Sequence, residues 1–474
     1  MKTSSSGIRV ALMAMILLGA ISRVAGLGAQ SLWLDEAHSA QVALRGWPSL
    51  MSTARTYFGG LFYYAQLHLW ASWLGASEFA LRLPSALASL LIIPLLYQLG
   101  RRIASPRAAL VAALLVTCSP LDLWYAQEAR MYALAAFLGV LCAYGYVRYR
   151  QTSAWGFALC YVLSGLAGLY TLYSFAFLLV ALGAHWALTL AGSAREAKPR
   201  SSTPAWLTWI AAHGLLLAGF APWWPVLWGH LRLVAEDMGR WQALASLVRI
   251  SGPIGLSGSL LVLLIGVGAA LLALLSGRGR RWLARAAQRV LRPGVVLWWS
   301  SSAYLALALV AGWHPISSVR QVTILTPFAC LAVALALDRW RRRRAAVLAL
   351  LLLVAVASAG YARATVQKEQ WREVAQRMAA QERPGDAVLL HAFYTEPAFS
   401  FYYAGHMKVW RFARPEDETR LMQVAQAHER VWLVLSHDAF EDPQRLVERW
   451  WDARATLAQE VTLTGIRVRL YETR

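Results

Sequence analysis

Apolar runs of about 20 residues recur along most of this 474-residue chain, and a helix needs a run of that length to cross the roughly 30 Å hydrocarbon core of a bilayer. Inside lipid every backbone N–H and C=O must find its partner within the protein, so such runs fold as helices. With 58% hydrophobic and only 15% charged residues, the chain is too apolar for an ordinary soluble domain and reads as a polytopic α-helical membrane protein. About 11 transmembrane helices are expected, near residues 9–29, 82–100, 107–120, 131–147, 155–173, 174–192, 206–227, 254–275, 294–312, 321–337 and 345–362. The first of these, preceded by Lys2 and Arg9, has the outline of a cleavable signal segment. It is expected to be retained, because losing it would invert the charge pattern described next.

A net charge of +21 would suggest nucleic acid as the partner of a soluble protein. Here the Arg clusters lie between apolar runs, as in Arg339 to Arg344, which points to cytoplasmic loops and not to a polyanion. An N-terminus in the cytoplasm places Arg101, Arg102 and Arg107, then Arg148 and Arg150, then Arg195, Lys198 and Arg200, then Arg278 to Arg292, and finally Arg339 to Arg344 on that one side. The opposite, extracytoplasmic face of the inner membrane then collects Asp35 and Glu36, the Asp122 to Arg130 loop, Tyr170 to Ser174, Pro222 to Pro225, His314 to Arg320 and the C-terminus. The cysteines Cys118, Cys142, Cys160 and Cys330 all fall in apolar segments without metal-ligand spacing.

Two stretches depart from the membrane pattern. Residues 30–81 form a long first outer loop, half apolar, with Trp47, Pro48, Arg55 and Leu61-Phe62-Tyr63-Tyr64, and interfacial amphipathic helices are expected there. From residue 364 to 474 the composition is that of a soluble domain, leaving residues 1–363 as the transmembrane domain. A helix over 367–381 should stop at Pro384-Gly385-Asp386, and β-rich runs follow at 387–391, 408–412, 431–435 and 461–471. That alternation predicts a small extracytoplasmic α/β domain with a partly parallel sheet. No Gly-rich phosphate loop opens its helices, which disfavours nucleotide binding, and the lack of an internal repeat disfavours an inverted-repeat transporter.

Charged groups beside a membrane span are rare and usually functional, so Asp35 and Glu36 are the first candidates for chemistry. Neighbours on a helix diverge by roughly 100°, so one carboxylate can face a site while the other orients the loop. Such a carboxylate could act as general base on an acceptor hydroxyl; the plainer reading is an interfacial acid pairing with Arg45 or Arg55. A second constellation is Tyr125-Ala126-Gln127-Glu128-Ala129-Arg130-Met131-Tyr132. On a helix Glu128 would share a face with Tyr132, and Gln127 with Arg130. Arg130 could grip a phosphate in bidentate fashion or, more plainly, anchor to lipid headgroups with Glu128 as its partner. Arg320, at the outer mouth of the tenth expected span, violates the positive-inside trend and suggests a bound anion. Nearby His314, like His38 and His68, reads as a proton shuttle, hydrogen-bond donor or metal ligand, or as a structural ring. Most of the 23 Trp residues belong to interfacial belts; Trp33, Trp223 and Trp224 are kept as sugar or lipid-tail contacts.

In order and spacing, Leu34-Asp35-Glu36-Ala37, then Leu61 to Trp70, then Glu78-Phe79-Ala80-Leu81-Arg82-Leu83-Pro84-Ser85, then Tyr125 to Tyr132 resemble the bacterial members of glycosyltransferase family 39. That family lies within the GT-C superfamily, with protein O-mannosyltransferases and the aminoarabinose transferase of lipid A. The resemblance is specific over residues 30–135 and weaker beyond, where it rests on His314-Pro315 to Arg320 and on Lys368-Glu369-Gln370-Trp371-Arg372 with Pro384-Gly385-Asp386. It implies a GT-C fold and an inverting transferase that takes a sugar from a polyprenyl-phosphate donor and passes it to a lipid, glycan or protein acceptor on the outer face. It further implies Asp35 as base, Glu36 as its partner in the acidic motif, and Arg130 and Arg320 as ligands of the donor phosphate. Two departures bear on pocket shape: Gly59-Gly60 stands where Pro-Pro is expected, and Gln321 where Tyr is expected. Family members differ in metal use, so a divalent cation (Mg or Mn) bridging phosphate and Asp35 or Glu36 stays open. The rival readings are a flippase or transporter of lipid-linked sugar, and an inactive assembly factor.

Overall fold

The computed structural model describes residues 5–56, 60–193, 205–237, 320, 323–339, 344–365, 367–412 and 418–473. Among them, four helices are long and apolar enough to cross a membrane: Ser6–Val24, Glu78–Ile103, Tyr132–Thr152 and Trp206–Arg232. Shorter apolar helices cover Trp155–Thr171, Phe175–Trp186, Thr323–Asp338 and Ala345–Ser358. The expected spans at 254–275 and 294–312 lie outside the described residues, and the expected count of 11 is not reached within them.

The chain opens with α1 (Ser5–Val24), followed in the first outer loop by α2 (Leu34–Leu44), α3 (Trp47–Thr56) and α4 (Leu61–Leu74). The break between α2 and α3 falls at Gly46, whose φ of +84° suits a residue without Cβ. Next come α5 (Glu78–Ile103), capped by the Ser77 hydroxyl accepting from Ala80 N–H at 3.2 Å, then α6 (Pro106–Cys118), α7 (Pro120–Ala126) and α8 (Tyr132–Thr152).

The expected third span, near 107–120, does not end there and does not run on straight: α6 and α7 meet at 55°. Pro120 has no N–H and pushes Ser119 to an extended ψ of 121°, while the Ser119 hydroxyl caps the new helix by accepting from Asp122 N–H at 3.3 Å. Nor is the segment from Tyr125 to Tyr132 one helix. Residues 127–131 form a turn between α7 and α8, so the helical faces expected for Glu128 with Tyr132 and Gln127 with Arg130 do not exist. Tertiary partners replace the helical ladder: Ala129 N–H goes to the Glu36 carboxylate at 2.8 Å, and Gln127 Nε2 reaches the carbonyls of Ser22, Arg23 and Ala25 at the end of α1.

The C-terminal part forms a five-stranded sheet in the order β2-β1-β3-β5-β4, from β1 (Ala387–Leu390), β2 (Lys408–Arg411), β3 (Arg430–Ser436), β4 (Ala455–Leu463) and β5 (Ile466–Thr473). Strand β1 runs parallel to both β2 and β3, and the remaining pairs are antiparallel, as a partly parallel sheet requires. The single strand expected over 461–471 is the middle of a hairpin, since Gly465 at φ +73° allows the chain to reverse there. The preceding helix begins at Trp371, later than expected, because residues 367–370 are taken up by contacts with the first outer loop. Alternation along the strands divides the sheet. Leu389, Val431 and Leu433 pack with Trp451 on one face. Val388, Leu390 and Trp432 point the other way, into an apolar cluster continuous with Leu67, Val140 and Phe328 of the helical part. The tail is therefore packed on the helical part, chiefly against α2 and the loop before it, rather than merely tethered.

Candidate active site

The acidic pair occupies the first turn of α2, where the helix dipole favours negative charge. Their divergence gives the two carboxylates opposite surroundings. Glu36 turns inward and is fully buried. Its Oε1 accepts from Arg82 Nε and from Ala129 N–H, both at 2.8 Å. Its Oε2 accepts from Arg82 Nη2 at 2.7 Å, Lys368 Nζ at 3.0 Å and Trp33 N–H at 3.4 Å. Burial alone would raise this carboxyl, but Lys368 and Arg82 prevail and hold it down at about 2. Arg82 uses its other donors on the carbonyls of Leu27 (2.9 Å), Gln30 (2.8 Å) and Ser31 (3.0 Å), so one guanidinium shapes the whole approach to α2.

Asp35 turns outward. Its Oδ2 accepts from Arg320 Nη1 at 2.5 Å and lies 4.0 Å from Arg130 Nη2. Its ion pairs are thus with the two arginines expected to bind phosphate, rather than with Arg45 or Arg55. Arg130 Nη1 also donates to the Asp35 carbonyl and the Ser39 hydroxyl, each at 3.1 Å, while the Ser85 hydroxyl holds the Arg130 carbonyl at 3.2 Å. The Arg320 guanidinium sits 4.8 Å from the Trp33 ring centroid, and Arg130 sits 5.9 Å from that of Tyr132, which meets Tyr125 edge-on at 5.0 Å. Asp35, Arg130, Arg320, Trp33 and Tyr132 are therefore one cluster, assembled from three separate stretches of chain. Arg320 is its most open member, with 41% of its side chain exposed.

Glu128 is buried beside this cluster, and its Oε2 has no hydrogen-bond partner among the described residues. Burial pushes its carboxyl up to about 7, against the pull of Lys368. A folded-state value above the ordinary 4.5 means that the neutral carboxyl's contribution to stability is complete below that pH and is lost as pH rises through 7. Glu128→Gln, which stays neutral, should unfold at the wild-type temperature at about pH 4 and at a higher temperature at about pH 8. Equal unfolding temperatures at both pH values would show that the carboxyl is not held neutral.

Other expected residues lie elsewhere. His68 donates from Nδ1 to the Ala43 carbonyl at 2.6 Å and meets Trp47 edge-on at 5.1 Å, tying α4 to α2. His314 lies outside the described residues. For a divalent cation, Glu36 offers no free oxygen, and Asp35 would be the protein carboxylate to meet it. Among the described residues no group of three or more His, Cys, Asp or Glu is placed to hold a metal. Sequence reasoning did not single out Arg82 and Lys368, although both had a readable signal. Each is a basic residue on the side expected to be poor in them, the same criterion that selected Arg320.

Residues 61–228 match the family described as dolichyl-phosphate-mannose-protein mannosyltransferase. Among solved structures, ArnT from Cupriavidus metallidurans in the apo state matches with a TM-score of 0.61 at 14% identity, over 99% of this chain and 98% of that one. The same protein bound to undecaprenyl phosphate matches with the same score and identity, over 98% of both chains. The archaeal oligosaccharyltransferase AglB from Archaeoglobus fulgidus, in complex with an inhibitory peptide and a dolichol-phosphate, matches at 0.53 and 12% identity, over 100% of this chain and 75% of that one. No curated protein matches in sequence. The chain is a membrane protein with the helical GT-C fold of these structures, and its family match is confined to residues 61–228.

Proposed function

We propose that this protein is an inverting glycosyltransferase that moves a hexose or pentose from a polyprenyl-phosphate donor to an acceptor hydroxyl on the extracytoplasmic face. The observation that carries this reading is Asp35, half-open and held by two arginines. Transfer from a sugar phosphate passes through an oxocarbenium-like transition state, which calls for a base on the acceptor side and cations on the departing phosphate. Arg320, exposed and stacked on Trp33, is placed to leave Asp35 for an incoming phosphate, joined there by Arg130. The freed Asp35 carboxylate takes the proton of the acceptor hydroxyl as its oxygen bonds C1 from the face opposite the phosphate. The C1–O bond electrons leave with the polyprenyl phosphate. Glu36, saturated by Arg82 and Lys368, orients α2 rather than reacting. ArnT and AglB, whose structures hold undecaprenyl phosphate and dolichol-phosphate, support a polyprenyl-phosphate donor, and a lipid or peptide acceptor is in keeping with such relatives.

The test is transfer or hydrolysis by the purified protein in lipid, from a panel of labelled polyprenyl monophosphate sugars. Donor-specific turnover supports the reading, and absence of turnover with every donor, alongside measurable flipping, would replace it with transport. The orientation is checked separately in a protein freed of its four cysteines. A cysteine at Ser400 should react with a membrane-impermeant reagent on intact cells, and one at Gln151 only after permeabilisation. The reverse pattern would invert the topology.

A further inference from the structure

We propose that Lys368 is a positioning residue of the transfer site, through which the C-terminal domain completes the geometry of the two segments carrying Asp35 and Arg130. The inference rests on the transferase reading above. Lys368 lies just ahead of the first helix of the tail, Trp371–Gln381, yet its ammonium reaches into the helical part. It donates to Glu36 Oε2 at 3.0 Å and to the Gln127 carbonyl at 3.3 Å, while its backbone N–H donates to Gln30 Oε1 at 3.1 Å. One side chain thus joins the first turn of α2, next to Asp35, to the turn that presents Glu128 and Arg130.

Docking of the tail does not by itself require this ammonium. The Ser31 hydroxyl donates to the Glu369 carbonyl at 2.8 Å, Leu32 N–H to Tyr402 Oη at 2.6 Å, and Arg372 pairs with Glu78 and reaches the Gly28 carbonyl at 3.4 Å. These contacts fasten the same loop without touching the acidic pair. An ammonium with only 11% of its side chain exposed is costly unless paired, and Lys368 is paired at the one carboxylate that orders α2. Among the charges around Glu128, which are Lys368, Glu36, Arg320 and Arg130, Lys368 also acts most strongly on that carboxyl.

The experiment compares Lys368→Met (Lys368→Gln should the Met variant not fold), Lys368→Arg and Tyr402→Phe in the full chain in lipid. Its readouts are kcat, donor KM, thermal unfolding and amide exchange over residues 127–130. Lys368→Met should lower kcat by about 10- to 100-fold, as small misplacements do, with donor KM little changed and exchange over 127–130 faster. Lys368→Arg should recover most of the loss. Tyr402→Phe, which removes only docking contacts, those of the hydroxyl with Leu32 N–H and Glu78, should lower the unfolding temperature and spare kcat. A kcat for Lys368→Met within about twofold of wild type, or an equal loss in Tyr402→Phe, overturns the proposal. If the wild-type protein transfers no sugar, the transferase reading fails, and the exchange comparison still decides whether Lys368 orders the turn.

Discussion

Asp35→Asn should reduce sugar transfer by about 10²- to 10⁴-fold, the range over which a positioned general base acts, with the protein otherwise intact. The amide keeps the shape of the side chain and an oxygen that can accept from Arg320, while losing the charge and the capacity to take a proton. Because Asp35 is partly exposed, its pair with Arg320 is open to water, and Arg130 keeps its bonds to the Asp35 carbonyl and the Ser39 hydroxyl, the change should move the unfolding temperature little. Loss of the anion also releases both arginines, so donor binding should be retained or improved even as turnover disappears. That split is measured by comparing donor affinity with single-turnover transfer. Transfer at the wild-type rate would remove Asp35 from the mechanism.

Arg82→Met should have the largest effect on stability. Its guanidinium meets both Glu36 oxygens and three loop carbonyls. Removing one member of a buried ion pair costs about 3–5 kcal/mol, because the other charge is left in an apolar setting. Arg82→Lys should recover little, since one ammonium cannot span a planar carboxylate and three carbonyls at once. The pH dependence supplies a second reading. Glu36 sits at about 2 in the fold against an ordinary 4.5, so its stabilisation is present above pH 4.5 and is lost as pH falls towards 2. Part of that depression comes from Arg82, so the variant should show a shallower loss across this window. The measurement is thermal unfolding of wild type and variant in detergent at neutral and acidic pH. A variant within about 1 kcal/mol of wild type would mean that Lys368 and Ala129 N–H suffice for Glu36.

How the site reads from sequence depends on which residues are considered. Asp35, Arg130 and Arg320 were legible because each breaks a strong local rule: a charge beside a span, or a basic residue on the outer side. Arg82 breaks the same rule but lies within a helical apolar run, where it was read as part of a motif. Lys368 breaks it too, just past the last expected span, but its partner Glu36 lies 332 positions away, and no local pattern names that partner. The turn at 127–131 was misread for a related reason. Its sequence has helical spacing, yet the Glu36 carboxylate and the end of α1 claim the Ala129 N–H and the Gln127 amide.

The sequence by itself determined that the chain is helical and membrane-embedded, that an α/β tail follows, and that acidic and basic groups gather at helix ends. Those properties follow from the cost of burying unpaired backbone and charge in lipid, which acts on every local stretch. Tertiary structure alone decided which carboxylate is which. Asp35 and Glu36 are chemically similar neighbours, and only the placement of α5, the 127–131 turn and the tail around α2 buries one among cations and leaves the other facing Arg320. Ionisation is set by surroundings that come from distant parts of the chain, so it becomes readable only when those parts are brought together.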